Sequence, residues 1–166
     1  VDSTEACAAD LLSLLGVPQA EVLEVLSLEM PATSRRLDNL LLLRNQAGRE
    51  WLHLVEWQGY PDPRFLWRVL FYLGWLALFR TERPIAVTLV YLKPGDDVGD
   101  TLYQEIDGFR YLGVTFHCVR LWEEDAVAAV RGGQVGLAVL SPLMRDATVA
   151  LVEEAGQLVL AAPQQP

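Results

Sequence analysis

LDNLLLLRNQAGREWLHLVEWQ, residues 37 to 58, decides how this chain is read. Two runs dominated by Leu, Val and Trp flank the polar segment QAGRE, which contains Gly48. Apolar runs of strand length joined by such a segment predict a β-hairpin, and their almost unbroken apolar content predicts burial on both faces. Successive strand side chains alternate, so Glu56 and Gln58 share one face and His53 takes the other. In an antiparallel pair the start of one arm lies beside the end of the other, so Asp38 and Glu56 are expected to meet. Adjacent carboxylates repel and raise one pKa unless a cation lies between them. Mg²⁺ takes oxygen ligands, typically one or two carboxylates with waters and phosphate oxygens. Gln58 would then point its amide at metal-bound water or phosphate. The bland alternative is a pair of acids salt-bridged to Arg35, Arg36 or Arg68, since ion-pair networks produce the same pairing.

Outward from the hairpin the pattern continues. Ala8, Leu11, Leu12 and Leu15 recur at helical spacing before Gly16, a first helix. VLEVLSLE, residues 22 to 29, is apolar and β-branched enough for a strand, with a short helix as the alternative because Leu and Glu favour it too. Pro61 and Pro63 stop the second hairpin arm, and residues 64 to 80 form a long helix that ends before Pro84. PIAVTLVYL, residues 84 to 92, reads as a strand closed by the polar turn KPGDD. YQEIDGFRYLGVTFHCVRLW reads as a pair of short extended runs. EEDAVAAVRGG is a helix whose acidic start and basic end match the helix dipole, and a final helix covers about residues 145 to 160. The order α-β-β-β-α-β-β-α predicts an α/β fold with a mixed sheet and helices on both faces, in one domain spanning residues 1–166.

Composition narrows the function classes. At 52% hydrophobic and 21% charged the chain is globular. Its formal charge of -9 argues against a broad basic surface for non-specific nucleic-acid binding, although a local basic patch or a bound cation would serve. Cys7 and Cys118 are the only cysteines and have no metal-ligand spacing, which fits a reducing cytoplasm and neither a zinc site nor a disulfide framework. FLWRVLFYLGWLALF, residues 65 to 79, contains Arg68 and is shorter than the ~20 residues that span a bilayer, so a buried helix and no membrane partner are expected. No charged leader precedes an apolar core at the N-terminus, so no secretory signal is expected. A first residue of Val instead of Met suggests an N-terminally truncated domain.

The D…ExQ spacing of Asp38, Glu56 and Gln58 resembles the D…(D/E)xK core of the PD-(D/E)XK nuclease superfamily. LVEWQGYPDPRFLWRVLFYLGWL is similar, more specifically, to the recombination-promoting nuclease/putative transposase family, in which an E-aromatic-Q unit precedes an R-x-x-x-Y helix. VRLWEEDAVAAVRGGQVGLAVLSPLM is similar to that family's later segment, and the likeness runs from about Arg36 to Met144. The resemblance implies a restriction-endonuclease-like fold and a DNA endonuclease dependent on Mg²⁺ or Mn²⁺. In it Asp38, Glu56 and the backbone carbonyl of Trp57 hold the metal, and Gln58 stands where lysine is usual. Arg68 and Tyr72, four apart on one helical face, would stand near the site, with Arg36 as a phosphate contact. Gln supplies neither a positive charge nor a base, so water activation would rest on the metal. The first helix matches the family poorly, with only Glu5 and Asp10 as acids. A catalytically silent nucleic-acid-binding or protein-interaction module is therefore the second expectation.

The remaining candidates read as structure. His53 and His117 are expected to be structural histidines, and Trp51, Trp57, Trp67, Trp75 and Trp122 to fill core or interface. Asp96, Asp97 and Asp100 lack an EF-hand pattern and predict a solvated turn. The apolar face of the long helix is a candidate homodimer interface.

Overall fold

The hairpin is present in the computed structural model, which describes residues 10–29, 36–79 and 81–162, with backbone alone at 27–29 and 36–38. Strand β1 (Glu21–Glu29) pairs antiparallel with β2 (Arg36–Arg44), and β2 with β3 (Glu50–Gln58). In the connection Gly48 has φ +79°, in the left-handed region that glycine enters without a Cβ penalty, and its N–H donates to the Asn45 carbonyl at 2.9 Å. The Asn45 side chain accepts from the Arg49 N–H at 2.9 Å, so the turn is closed by local hydrogen bonds. Arg44 and Arg83 both bind the Glu50 carboxylate, at 2.8 and 3.2 Å, and hold its pKa below the usual range.

Pro61 and Pro63 end β3, and Asp62 starts the next element: its carbonyl accepts from Phe65 N–H and its Oδ1 from Arg64 N–H, each at 2.9 Å. Helix α1 (Phe65–Phe79) buries Phe65, Leu66, Val69, Tyr72, Trp75 and Leu76, one helical stripe. Tyr72, Trp75 and Leu76 pack with Leu40, Leu52 and Leu54 in a core cluster edged by Leu26, Leu42, Ile85 and Val87. Full burial of each such aliphatic chain stabilises the fold by about 1.5–3 kcal/mol. β3 and β4 (Ile85–Tyr91) are parallel, an arrangement that needs a crossover, and α1 supplies it.

A separate antiparallel hairpin follows, β5 (Thr101–Ile106) and β6 (Phe109–Thr115), before β7 (His117–Arg120) completes the main sheet in the order β1-β2-β3-β4-β7. The expected pair of extended runs is thus three strands. Asp107 and Gly108, with φ of 51° and 79°, form the two-residue hairpin turn, and Phe116 divides β6 from β7. Asp96 also departs from expectation, being 1% exposed instead of solvated. The loop around it folds inward, with the Tyr91 hydroxyl donating to the Gly99 carbonyl at 2.6 Å and Gly99 N–H to Asp97 at 2.7 Å.

The fold class is α/β with a mixed five-stranded sheet, and the chain divides into two compact units. The sheet unit is Ala20–Tyr91 with Gly95–Val119. The other unit takes in helical residues 10–14, α2 (Ala126–Arg131), α3 (Val135–Ala138) and α4 (Val149–Ala161). Asp125 caps α2 by accepting from Val127 and Ala128 N–H at 2.8 and 3.0 Å. The last helix starts at Val149, later than the expected 145, because Arg145 pairs as a bridge with Asp125 and Thr148 caps the helix through Leu151 N–H at 3.2 Å. Among the described residues no helix is long and apolar enough to cross a membrane.

Candidate functional site

The main sheet opens at one end. The ladder between β2 and β3 runs from Arg44–Glu50 to Leu40–Leu54. Beyond it β2 stays with β1 as far as Glu29–Arg36, while β3 stays with β4 as far as Gln58–Tyr91. The two hairpin arms therefore part before they reach Asp38 and Glu56, and β2 shifts register against β1 over positions 38 and 39, so no ladder pair joins positions 38 and 56. The side chains of Asp38 and Arg36 lie outside the described residues, as do Glu5 and Arg35. Alternation from Leu52 and Leu54, which pack against α1, puts Glu56 and Gln58 on the α1 side of β3. Glu56 and Trp57 are half-buried and Gln58 is fully buried.

Both ends of the Gln58 amide are engaged. Its Nε2 donates to the Tyr60 carbonyl, and its Oε1 accepts from Arg68 Nη2 at 3.1 Å. Arg68 Nη1 donates to Asp62 Oδ2, and the guanidinium lies 5.0 Å from the centroid of the Phe65 ring. The cation expected beside Glu56 is in this way held by Asp62 and Gln58. An aspartate three residues before the helix can fold back over its first turn, and PDPRFLWR carries that signal. Tyr72, one turn beyond Arg68, is 6% exposed and sits in the core cluster.

Set against known proteins, the chain matches no family model, no curated protein and no solved structure. Among the described residues no three His, Cys, Asp or Glu side chains gather closely enough to hold a metal ion. The donor set that suits Mg²⁺ is the half-buried Glu56 carboxylate and the Trp57 carbonyl at the mouth of the parted strands, with position 38 on the facing arm. These are hard oxygen donors, and the one histidine of β3, His53, lies on the opposite face of the strand. Asp10, the described acid of the first helix, accepts from Gly136 N–H at 2.9 Å inside the helical unit.

On the opposite face of β3, His53 is 3% exposed. Its Nε2 lies 2.9 Å from Thr88 Oγ1, which lies 3.3 Å from His117 Nδ1. Burial, helped by the nearby His117, pushes the His53 imidazole down to about 4. Its Nδ1 has no hydrogen-bond partner among the described residues, so a second proton would be buried unpaired. Histidine here is a core residue, as alternation predicts. Trp75 likewise fills the core, whereas Trp67 is 42% exposed, so of the expected core or interface roles only the second is open to it.

Proposed function

We propose that this chain is a divalent-metal-dependent DNA endonuclease of restriction-endonuclease-like architecture that hydrolyses phosphodiester bonds. Its resemblance to the recombination-promoting nuclease/putative transposase family suggests work in recombination or on mobile elements. The observation that supports the reading is the parting of β2 from β3 beyond Leu40–Leu54, which leaves the half-buried Glu56 carboxylate at the open end of the sheet on the hairpin that also carries Asp38. In this reading Asp38, Glu56 and the Trp57 carbonyl hold Mg²⁺ or Mn²⁺. The bound ion supplies a water of lowered pKa and polarises the phosphate. Gln58, clamped between Tyr60 and Arg68, orients its amide without taking a proton, and Arg68 keeps that amide in place. Tyr72 packs in the core one turn beyond Arg68, and Arg36 contacts the phosphate.

The test is plasmid nicking in Mg²⁺, Mn²⁺ and EDTA by the native protein, Asp38→Asn and Glu56→Gln. Metal-dependent nicking that both variants lose supports the assignment; nicking that survives Asp38→Asn removes it. A second reading, a silent nuclease-fold module, is favoured by the internal hydrogen bonding of both ends of the Gln58 amide and by the Asp62–Arg68 ion pair. It predicts no nicking, and no metal-induced rise in Tm that Asp38→Asn abolishes.

A further inference from the structure

The first half of α1 turns an unusual set of side chains outward. Arg64, Trp67, Arg68 and Phe71, spaced i, i+3, i+4 and i+7, share one helical face and line a cleft of about 350 Å³ together with Asp62. Trp67 is 42% and Phe71 52% exposed, while Trp75 on the same helix is only 9% exposed. Core packing therefore accounts for Trp75 and not for the other two. The charges differ in kind. Arg68 is neutralised by Asp62, whereas Arg64 is exposed and forms no ion pair among the described residues. The cleft thus holds one uncompensated cation and two exposed aromatic side chains, on a chain whose net charge is -9.

We propose that this cleft binds one phosphodiester unit of a single nucleic-acid strand, with Arg64 pairing to a phosphate and Trp67 and Phe71 stacking on unstacked bases. The aromatic faces select a single strand, because duplex bases are stacked on one another and offer no free face. The lone cation fits a phosphate, and the acidic remainder of the chain limits the contact to about one, so binding is weakly salt-dependent. The inference rests on the nuclease reading for its choice of nucleic acid. Arg68 supplies the continuity, since the same guanidinium that lines the cleft donates to Gln58 at 3.1 Å. A strand seated here would run past the open end of β3.

The experiment is fluorescence polarisation of labelled oligothymidylate and of a duplex of equal length, in EDTA so that nothing is cleaved, at several salt concentrations. Native protein is expected to prefer the single strand. Trp67→Ala and Phe71→Ala should each weaken binding about tenfold without changing the salt slope. Arg64→Ala should weaken binding and lower that slope by about 0.7, the share of one phosphate. Trp67→Phe should bind nearly as the native chain does, which separates stacking from folding defects, and unchanged Tm confirms that each variant is folded. Oligothymidylate binding that is absent, or unaffected by the variants, overturns the proposal. So does a dimer that Trp67→Ala and Phe71→Ala dissociate while strand binding is unchanged, an outcome that assigns the face to a second copy. Loss of nicking with intact binding removes only the nuclease reading, and nicking with variant-insensitive binding removes only the cleft.

Discussion

Acidification should destabilise the sheet unit through His53, by an amount that follows from its burial. In the unfolded chain a histidine titrates near 6.5, and in the folded protein His53 is pushed down to about 4. Its folded pKa lies below the unfolded one, so between these values the unfolded chain binds the extra proton. The contribution to stability is complete above about pH 6.5 and is lost as pH falls towards 4. A gap of this size corresponds to about 3.4 kcal/mol at its limit, and about 2.4 kcal/mol of that is lost between pH 7 and pH 4.5. Partial solvent screening brings the expected figure to about 2 kcal/mol. Urea unfolding of the native protein and His53→Leu, followed by tryptophan fluorescence at both pH values, measures it. Carboxylates such as Glu50 titrate alike in the two proteins, so the native chain should lose about 2 kcal/mol more than the variant. Equal losses would refute the assignment of a buried, neutral imidazole at position 53.

Gln58→Leu removes the acceptor of Arg68 and the donor to Tyr60 from a fully buried position, and should cost about 2–4 kcal/mol in urea unfolding. A cost below about 0.5 kcal/mol would show that the two hydrogen bonds do not form in solution. Leu54→Ala hollows the cluster beneath α1 and should lower stability by about 2–5 kcal/mol, with a lower Tm by calorimetry. At Gly48 a Cβ would meet nothing within 4 Å, so Gly48→Ala should cost only the left-handed backbone penalty of about 1–2 kcal/mol, with Gly48→Asn costing less. Equal stability of the Ala and Asn variants would contradict the turn geometry.

Much of the fold is written locally. The polar QAGRE segment between two apolar runs specifies the β2–β3 hairpin, and the prolines around Asp62 specify where α1 begins, because turn chemistry and side-chain period act over a few residues. The same period put Glu56 and Gln58 on one face and His53 on the other. The DG pair at Asp107–Gly108 carried a hairpin signal as well, whereas no turn residue marks the break at Phe116 that makes a third strand of the expected pair. Other features depend on docking between distant segments. α1 is apolar nearly all round, so its own pattern cannot choose which arc is buried. The sheet chooses, taking Tyr72, Trp75 and Leu76 and leaving Trp67 and Phe71 exposed. The partner of Arg68 is likewise a matter of reach, and the fold sets Asp62 and Gln58 closer to hand. Spacing alone paired Asp38 with Glu56, but the opening between their strands arises because β1 holds one arm and β4 the other. That competition between neighbours exists only once the sheet is assembled.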